Sequence, residues 1–238
     1  MSERPSLPPA ERPRSTVRTF TPRFRLSPLT QERMDTLMPR YEVPAGPIDP
    51  VAVFGRSAPL VVEIGSGQGH AIVHAAAHTP ETDFLAVEVF RAGLARTMLD
   101  ADRAGARNLR LVEANAPEVL EHLLPEASVD ELWIFFPDPW HKAKHNKRRL
   151  IAPAFPPIAA RALRDGGLLR LATDWEDYAL QMREVMAGAD GFTPAFEGEW
   201  ADRFEGRVMT AFERKGIAKG RQIRDLVYRR AQRRSDRP

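Results

Sequence analysis

The chain has 238 residues, no cysteine, and 35 Lys+Arg against 32 Asp+Glu, for a formal net charge of +3. That length supports one sizeable core without covalent staples, and the absence of cysteine excludes disulfide frameworks, thiolate zinc sites, iron–sulfur clusters and a cysteine nucleophile, in keeping with a reducing cytosol. No stretch approaches the roughly 18–20 apolar residues of a membrane span, and the opening segment lacks the apolar core of a secretory signal.

In chain order, residues 1–28 are rich in Arg and Pro, and six prolines with Glu3 and Glu11 disfavour an amphipathic helix. A flexible basic arm is expected there, followed by one folded domain over 29–230 and a basic tail over 231–238. Leu29 to Met38 reads as a short helix with Thr30 as its cap, before Pro44, Pro47 and Pro50 break the chain. Apolar runs at Leu60–Ile64, Phe84–Val89, Leu109–Val112, Val129–Phe136 and Leu168–Ala172 then alternate with helical patterns at Ala71–Ala77, Arg91–Ala104, Ala116–Leu124 and Pro153–Leu163. Short apolar strands separated by amphipathic helices predict an α/β fold with a mostly parallel sheet covered on both faces. The last third predicts a helix over Tyr178–Ala187, a loop-rich stretch from Phe192, and edge or antiparallel strands at Val208–Phe212 and Leu226–Tyr228.

Charge is unevenly placed. Residues 1–40 carry eight Arg against four acids, residues 214–238 carry ten Lys+Arg against two, and Lys142 to Arg149 holds five cations and no acid. Three basic segments suit a polyanion if the fold brings them to one face.

Two segments carry chemistry. In Glu63-Ile64-Gly65-Ser66-Gly67-Gln68-Gly69, alternate glycines follow a strand, so the backbone can turn tightly and present amides at a helix N-terminus. The third glycine comes one position too early for a dinucleotide fingerprint, and a carboxylate at the strand end repels pyrophosphate but suits a cation. Glu88, about 20 residues on at the next strand end, is spaced to meet ribose hydroxyls. S-adenosylmethionine satisfies both acids better than NAD. The second segment is Phe135-Phe136-Pro137-Asp138-Pro139-Trp140-His141-Lys142-Ala143-Lys144-His145-Asn146-Lys147-Arg148-Arg149. It sets an acid between two prolines at a strand end, then an aromatic face and a basic run able to meet phosphates. His70, His74 and His78 share one helical face, but no carboxylates accompany them, so no metal is expected.

Together with Ala172-Thr173-Asp174-Trp175, these strings resemble bacterial tRNA (guanine-N7)-methyltransferases over about Val17 to Arg230. The resemblance implies a single-domain, Rossmann-like class I methyltransferase fold. Its seven-stranded sheet would be mostly parallel with one antiparallel strand. It also implies S-adenosylmethionine as cofactor, tRNA as partner and no membrane association. Glu63, Gly65, Gly67, Glu88, Asn115 and Asp138 match cofactor-binding positions, and Asp138 also matches the catalytic one. Lys142, Asp174, Thr210, Phe212 and Glu213 match substrate contacts, while Lys144, Lys147, Arg148 and Arg149 fall in the RNA-contacting segment. The expected product is 7-methylguanosine at position 46, in the variable loop. Two departures stand out: Asn115 where the family commonly has Asp, which keeps an acceptor without charge, and Ala211 where Lys is frequent. A methyltransferase of another RNA or a protein, or a catalytically silent RNA-binding module, are the rival readings.

Overall fold

The computed structural model describes residues 27–233. Most of the arm expected over 1–28, and residues 234–238 of the tail, lie outside them. Seven strands form one sheet: β1 (Leu60–Ile64), β2 (Asp83–Glu88), β3 (Leu109–Glu113), β4 (Val129–Phe135), β5 (Leu163–Thr173), β6 (Phe192–Pro194) and β7 (Arg224–Arg230), in the order β3-β2-β1-β4-β5-β7-β6. β1 to β5 pair in parallel, and β7 runs antiparallel to both β5 and β6. The helices are α1 (Pro28–Tyr41), α2 (Pro50–Phe54), α3 (His70–His78), α4 (Arg91–Ala104), α5 (Ala116–Glu118), which continues as a π-helical turn to Leu123, α6 (Phe155–Ala162), α7 (Glu176–Ala187) and α8 (Ala211–Ala218).

Residues of each parallel strand divide between two apolar clusters according to the two-residue period of the pleat. Val61, Phe84, Trp133 and Phe135 pack with α1, α3 and α4 through Met34, Tyr41, Ile72, Leu94 and Met98. Val62, Ile64, Leu85, Leu132 and Ile134 pack with Leu120, Phe155, Tyr178 and Met182 on the other face. Strand order reverses between β1 and β4, so a crevice opens where their carboxyl ends part, the usual ligand position in such sheets.

Several expectations change. The cap of the first helix is Ser27, which accepts from the Thr30 N–H at 3.2 Å, and the helix runs on to Tyr41. β5 begins at Leu163 because a bulge around Gly166 lets it bend and still pair with β4. Phe192–Pro194 is a short edge strand, not loop. The strand expected at Val208–Phe212 does not form: Thr210 caps α8 there, its hydroxyl accepting from the Glu213 N–H at 3.1 Å. Among the described residues, no helix is long and apolar enough to cross a membrane.

Candidate active site

A cleft of about 450 Å³ lies over the carboxyl ends of β1, β2 and β4. Its floor is the glycine turn. Gly65, Gly67 and Gly69 take φ of +69°, +58° and +75°, a region glycine enters freely, and the turn delivers the chain into α3. α4 presses against it from behind: a Cβ added to Gly93 would stand 2.2 Å from the Gly67 carbonyl oxygen.

Glu63, at the cleft floor, is buried, and its Oε2 has no hydrogen-bond partner. Desolvation pushes its pKa up to about 8; the Ile72 N–H and Arg207 oppose that rise, and Glu88 adds to it. A buried acid with one unpartnered oxygen beside a glycine turn fits an ammonium or sulfonium ligand, which would supply the missing partner and restore its charge. Ser66 Oγ, buried in the same turn, also lacks a partner. Glu88 is held open toward the cleft by three amides: Gly67 N–H donates to Oε2 at 2.8 Å, and Val89 and Phe90 N–H donate to Oε1 at 2.7 and 2.9 Å. A carboxylate so fixed keeps acceptor capacity for a diol. Asn115 lines the cleft at the start of α5.

The wall above β4 is strained. Phe136 and Trp140 have φ of +53° and +47°, left-handed values worth about 1–3 kcal/mol each for side-chain-bearing residues. The Phe136 N–H donates to the Ala172 carbonyl at 2.7 Å, and Arg149 Nε donates to the Pro139 carbonyl at 2.8 Å, pinning the loop at both ends. Between them Asp138 faces the cleft. Desolvation in the concave wall raises its pKa, against a lowering by His141, and its carboxylate accepts no hydrogen bond from the described residues. Trp140 carries the Arg148 guanidinium 4.9 Å over its ring, and both line the cleft.

The cleft therefore gathers Glu63, Gly65, Gly67, Glu88, Asn115, Asp138, Arg148, Thr210 and Phe212. Lys142, Lys144 and Lys147 are exposed on or beside the 3-10 turn at Ala143–Arg148, outside the cleft. Three further residues expected to make contacts stand apart from the cleft. Arg149 is buried, bonded to Gln181 and Asp177 as well as Pro139, and stacks over Tyr178, so its guanidinium is committed within the fold. Glu213 is buried too; burial alone would raise its pKa, but hydrogen bonds and charge from Arg203 and Arg207 lower it, and its carboxylate faces those cations instead of the cleft. Asp174 is half-buried outside the cleft and takes Arg221 at 2.8 Å. Ser66 and Lys215 also line the cleft. Ser66 stands between the first two glycines of the turn, and the glycine pattern carries no signal for its side chain. Lys215 stands three residues after Phe212 and so shares its helical face, a spacing visible once α8 is recognised. Among the described residues, no group of His, Asp or Glu is arranged to hold a metal.

A family model described as "Putative methyltransferase" matches residues 57–226. A tRNA (guanine-N(7)-)-methyltransferase of Paenarthrobacter aurescens is 48% identical over 230 residues, covering 76% of each chain. Those of Methylococcus capsulatus and Aeromonas hydrophila are 42% and 40% identical, over 92% and 90% of this chain and 96% and 92% of their own. Among solved structures, the 16S rRNA methyltransferase KamB is 16% identical with a TM-score of 0.54, covering 84% of this chain and 93% of that one. A 16S rRNA (adenine(1408)-N(1))-methyltransferase from Catenulisporales acidiphilia, determined with cosubstrate SAM, is likewise 16% identical, with a TM-score of 0.51 over 80% of this chain and 95% of that one. These two share the fold.

Proposed function

Because this chain belongs to the tRNA (guanine-N7)-methyltransferase family, we propose that its cleft receives guanine 46, in the variable loop of tRNA, over S-adenosylmethionine held at the ends of β1 and β2. The activity itself, methylation of guanine N7 in tRNA with S-adenosylmethionine as donor, follows from that membership. The reading is carried by one observation: Glu63, with an unpaired buried oxygen, and Asp138, with an uncommitted carboxylate, converge on a single cleft at the β1/β4 reversal.

S-adenosylmethionine supplies an electrophilic sulfonium methyl. Guanine N7 is an unprotonated acceptor on the major-groove edge, so its methylation removes no proton and needs no strong base. The work left to the protein is alignment and charge stabilisation. Glu63 accepts from the cofactor's ammonium, Glu88 from its ribose, and Asn115 from its adenine amine, while Gly65 and Gly67 let the backbone approach. Asp138 would accept from the guanine N1–H and N2 edge or from the cofactor's amino group, and its negative charge would favour the purinium cation formed as the N7–carbon bond replaces the sulfonium sulfur–carbon bond and S-adenosylhomocysteine leaves. Thr210 completes the base pocket, with Phe212 exposed at its rim; Lys142, Lys144, Lys147 and Arg148 meet phosphates beside it. Asp174 and Glu213 act through Arg221, Arg203 and Arg207, by fixing α8. The enzyme works in the cytoplasm, with the arm over 1–28 adding to its hold on RNA.

Incubation with labelled S-adenosylmethionine and tRNA lacking the modification, followed by reduction and aniline cleavage, tests this directly. Cleavage at position 46 is expected. Label without cleavage would mean another methylated atom, cleavage elsewhere another guanine, and no label a silent binding module.

A further inference from the structure

We propose that Phe212, with Met209 beside it, is the wedge that enters the tRNA base stack as the target guanine is withdrawn into the cleft. This rests on the reading of the cleft given above. Phe212 is 60% exposed, the most exposed large apolar side chain among the described residues, and Met209 is 49% exposed. They flank Thr210, which lines the cleft together with Phe212. A phenyl ring that buries so little of itself against its own protein, at the rim of a base-sized cavity, is suited to bury itself in something else.

The chemistry of the substrate supplies that partner. A guanine within a folded tRNA is stacked on its neighbours, and an enzyme acting on one base draws it out of the stack. Proteins that part base steps do so with Phe, Leu, Ile, Met or Pro, which fill the gap with apolar surface. Phe212 and Met209 are of this class. Their mount is rigid: the Thr210 cap starts α8, Glu213 binds Arg203 and Arg207, and Arg207 makes a two-pronged pair with Asp225 of β7. Lys215, with Nζ 5.9 Å from the Phe212 ring centroid, stands one turn along to meet a phosphate. Trp140, which also lines the cleft, carries Arg148 over its ring, whereas the Phe212 ring stays 60% exposed beside Lys215.

The test compares Phe212→Ala with wild type on two substrates: folded tRNA, and the same tRNA with the tertiary partners of the target guanine substituted so that this base is already unstacked. The variant is expected to lose at least tenfold in kcat/KM on folded tRNA and less than threefold on the relaxed one. Phe212→Leu should recover most of the loss and Phe212→Asn should not. With 2-aminopurine next to the target guanine, wild-type binding should raise fluorescence and Phe212→Ala should at least halve that rise. An equal loss on both substrates, or a full fluorescence rise in the variant, would overturn the wedge. Absence of aniline cleavage at position 46 by the wild type would instead remove the premise, in a separate assay. Because Phe212 is exposed, an unaltered melting temperature serves as the folding control.

Discussion

Glu63 sets a pH dependence that can be worked out in sign. Its pKa near 8 in the free protein means it is mostly protonated at pH 7, and a cationic ligand favours the ionised form. Binding of S-adenosylmethionine should therefore release a proton at pH 7 and tighten as pH rises from 6 toward about 7.5, beyond which the ligand's own ammonium deprotonates. Calorimetry in buffers of different ionisation enthalpy reads the release, and Glu63→Gln should abolish it. The same raised pKa makes the free protein lose stability as pH rises from about 5 through 8, since the unfolded acid ionises first, near the ordinary carboxylate value of 4.5. A melting temperature that is flat over that window would contradict the assignment. Asp138→Ala should lower kcat at least a hundredfold, with less than a threefold change in cofactor Kd, in single-turnover and binding measurements. These acids were legible because an apolar run fixes where a strand ends. Arg149 was not: its partners Asp177 and Gln181 lie 28 and 32 residues further on, and a sequence shows its charge but not its burial. Arg149→Ala should cost about 3 kcal/mol of stability, seen as a fall in melting temperature, because it empties the volume of a buried side chain, removes its bonds to Gln181 and Asp177, and frees the loop it pins at Pro139.

Among elements, the order of strands and helices in the parallel half follows from hydrophobic period, though not the early start of β5, and α4 runs over Arg91–Ala104 as its pattern predicts. The close fit of α4 to the glycine turn has no such signal, because Gly93 looks like any helix glycine until Gly67 lies against it. Gly93→Ala should weaken cofactor binding at least tenfold, measured as Kd, since the added methyl displaces backbone and not a movable side chain. α8 was misread for a different reason. Val208, Thr210 and Phe212 have strand propensity, yet Thr210-Ala211-Phe212-Glu213 has the T-x-x-E spacing of a helix start. Half of that device operates: the Thr210 hydroxyl caps, while the Glu213 carboxylate turns to Arg203 and Arg207. A string that resembles a substrate motif is therefore also the foundation of the wall it belongs to.

At the scale of the molecule, the net charge of +3 hides a division. Residues 41–213 carry 26 acids against 17 cations, and the excess of positive charge lies before and after them. If the exposed run at Lys144 and Lys147 meets phosphates, each Lys→Ala change should reduce the slope of log K against log salt by about 0.7–0.9 in tRNA-binding titrations. Arg149→Ala, buried, should leave that slope where it was. The strand order has a consequence for biosynthesis. β7 is the last strand in the chain but enters the sheet between β5 and β6, and its Asp225 receives Arg207, to which Glu213 of α8 is bonded. On a ribosome, the sheet from β3 to β5 with its glycine turn emerges first, whereas Arg207 and Glu213 gain the partner that braces α8 only once β7 has been made. Chains truncated ahead of residue 224 are therefore expected to lose more affinity for tRNA than for S-adenosylmethionine, read by titrating each ligand separately.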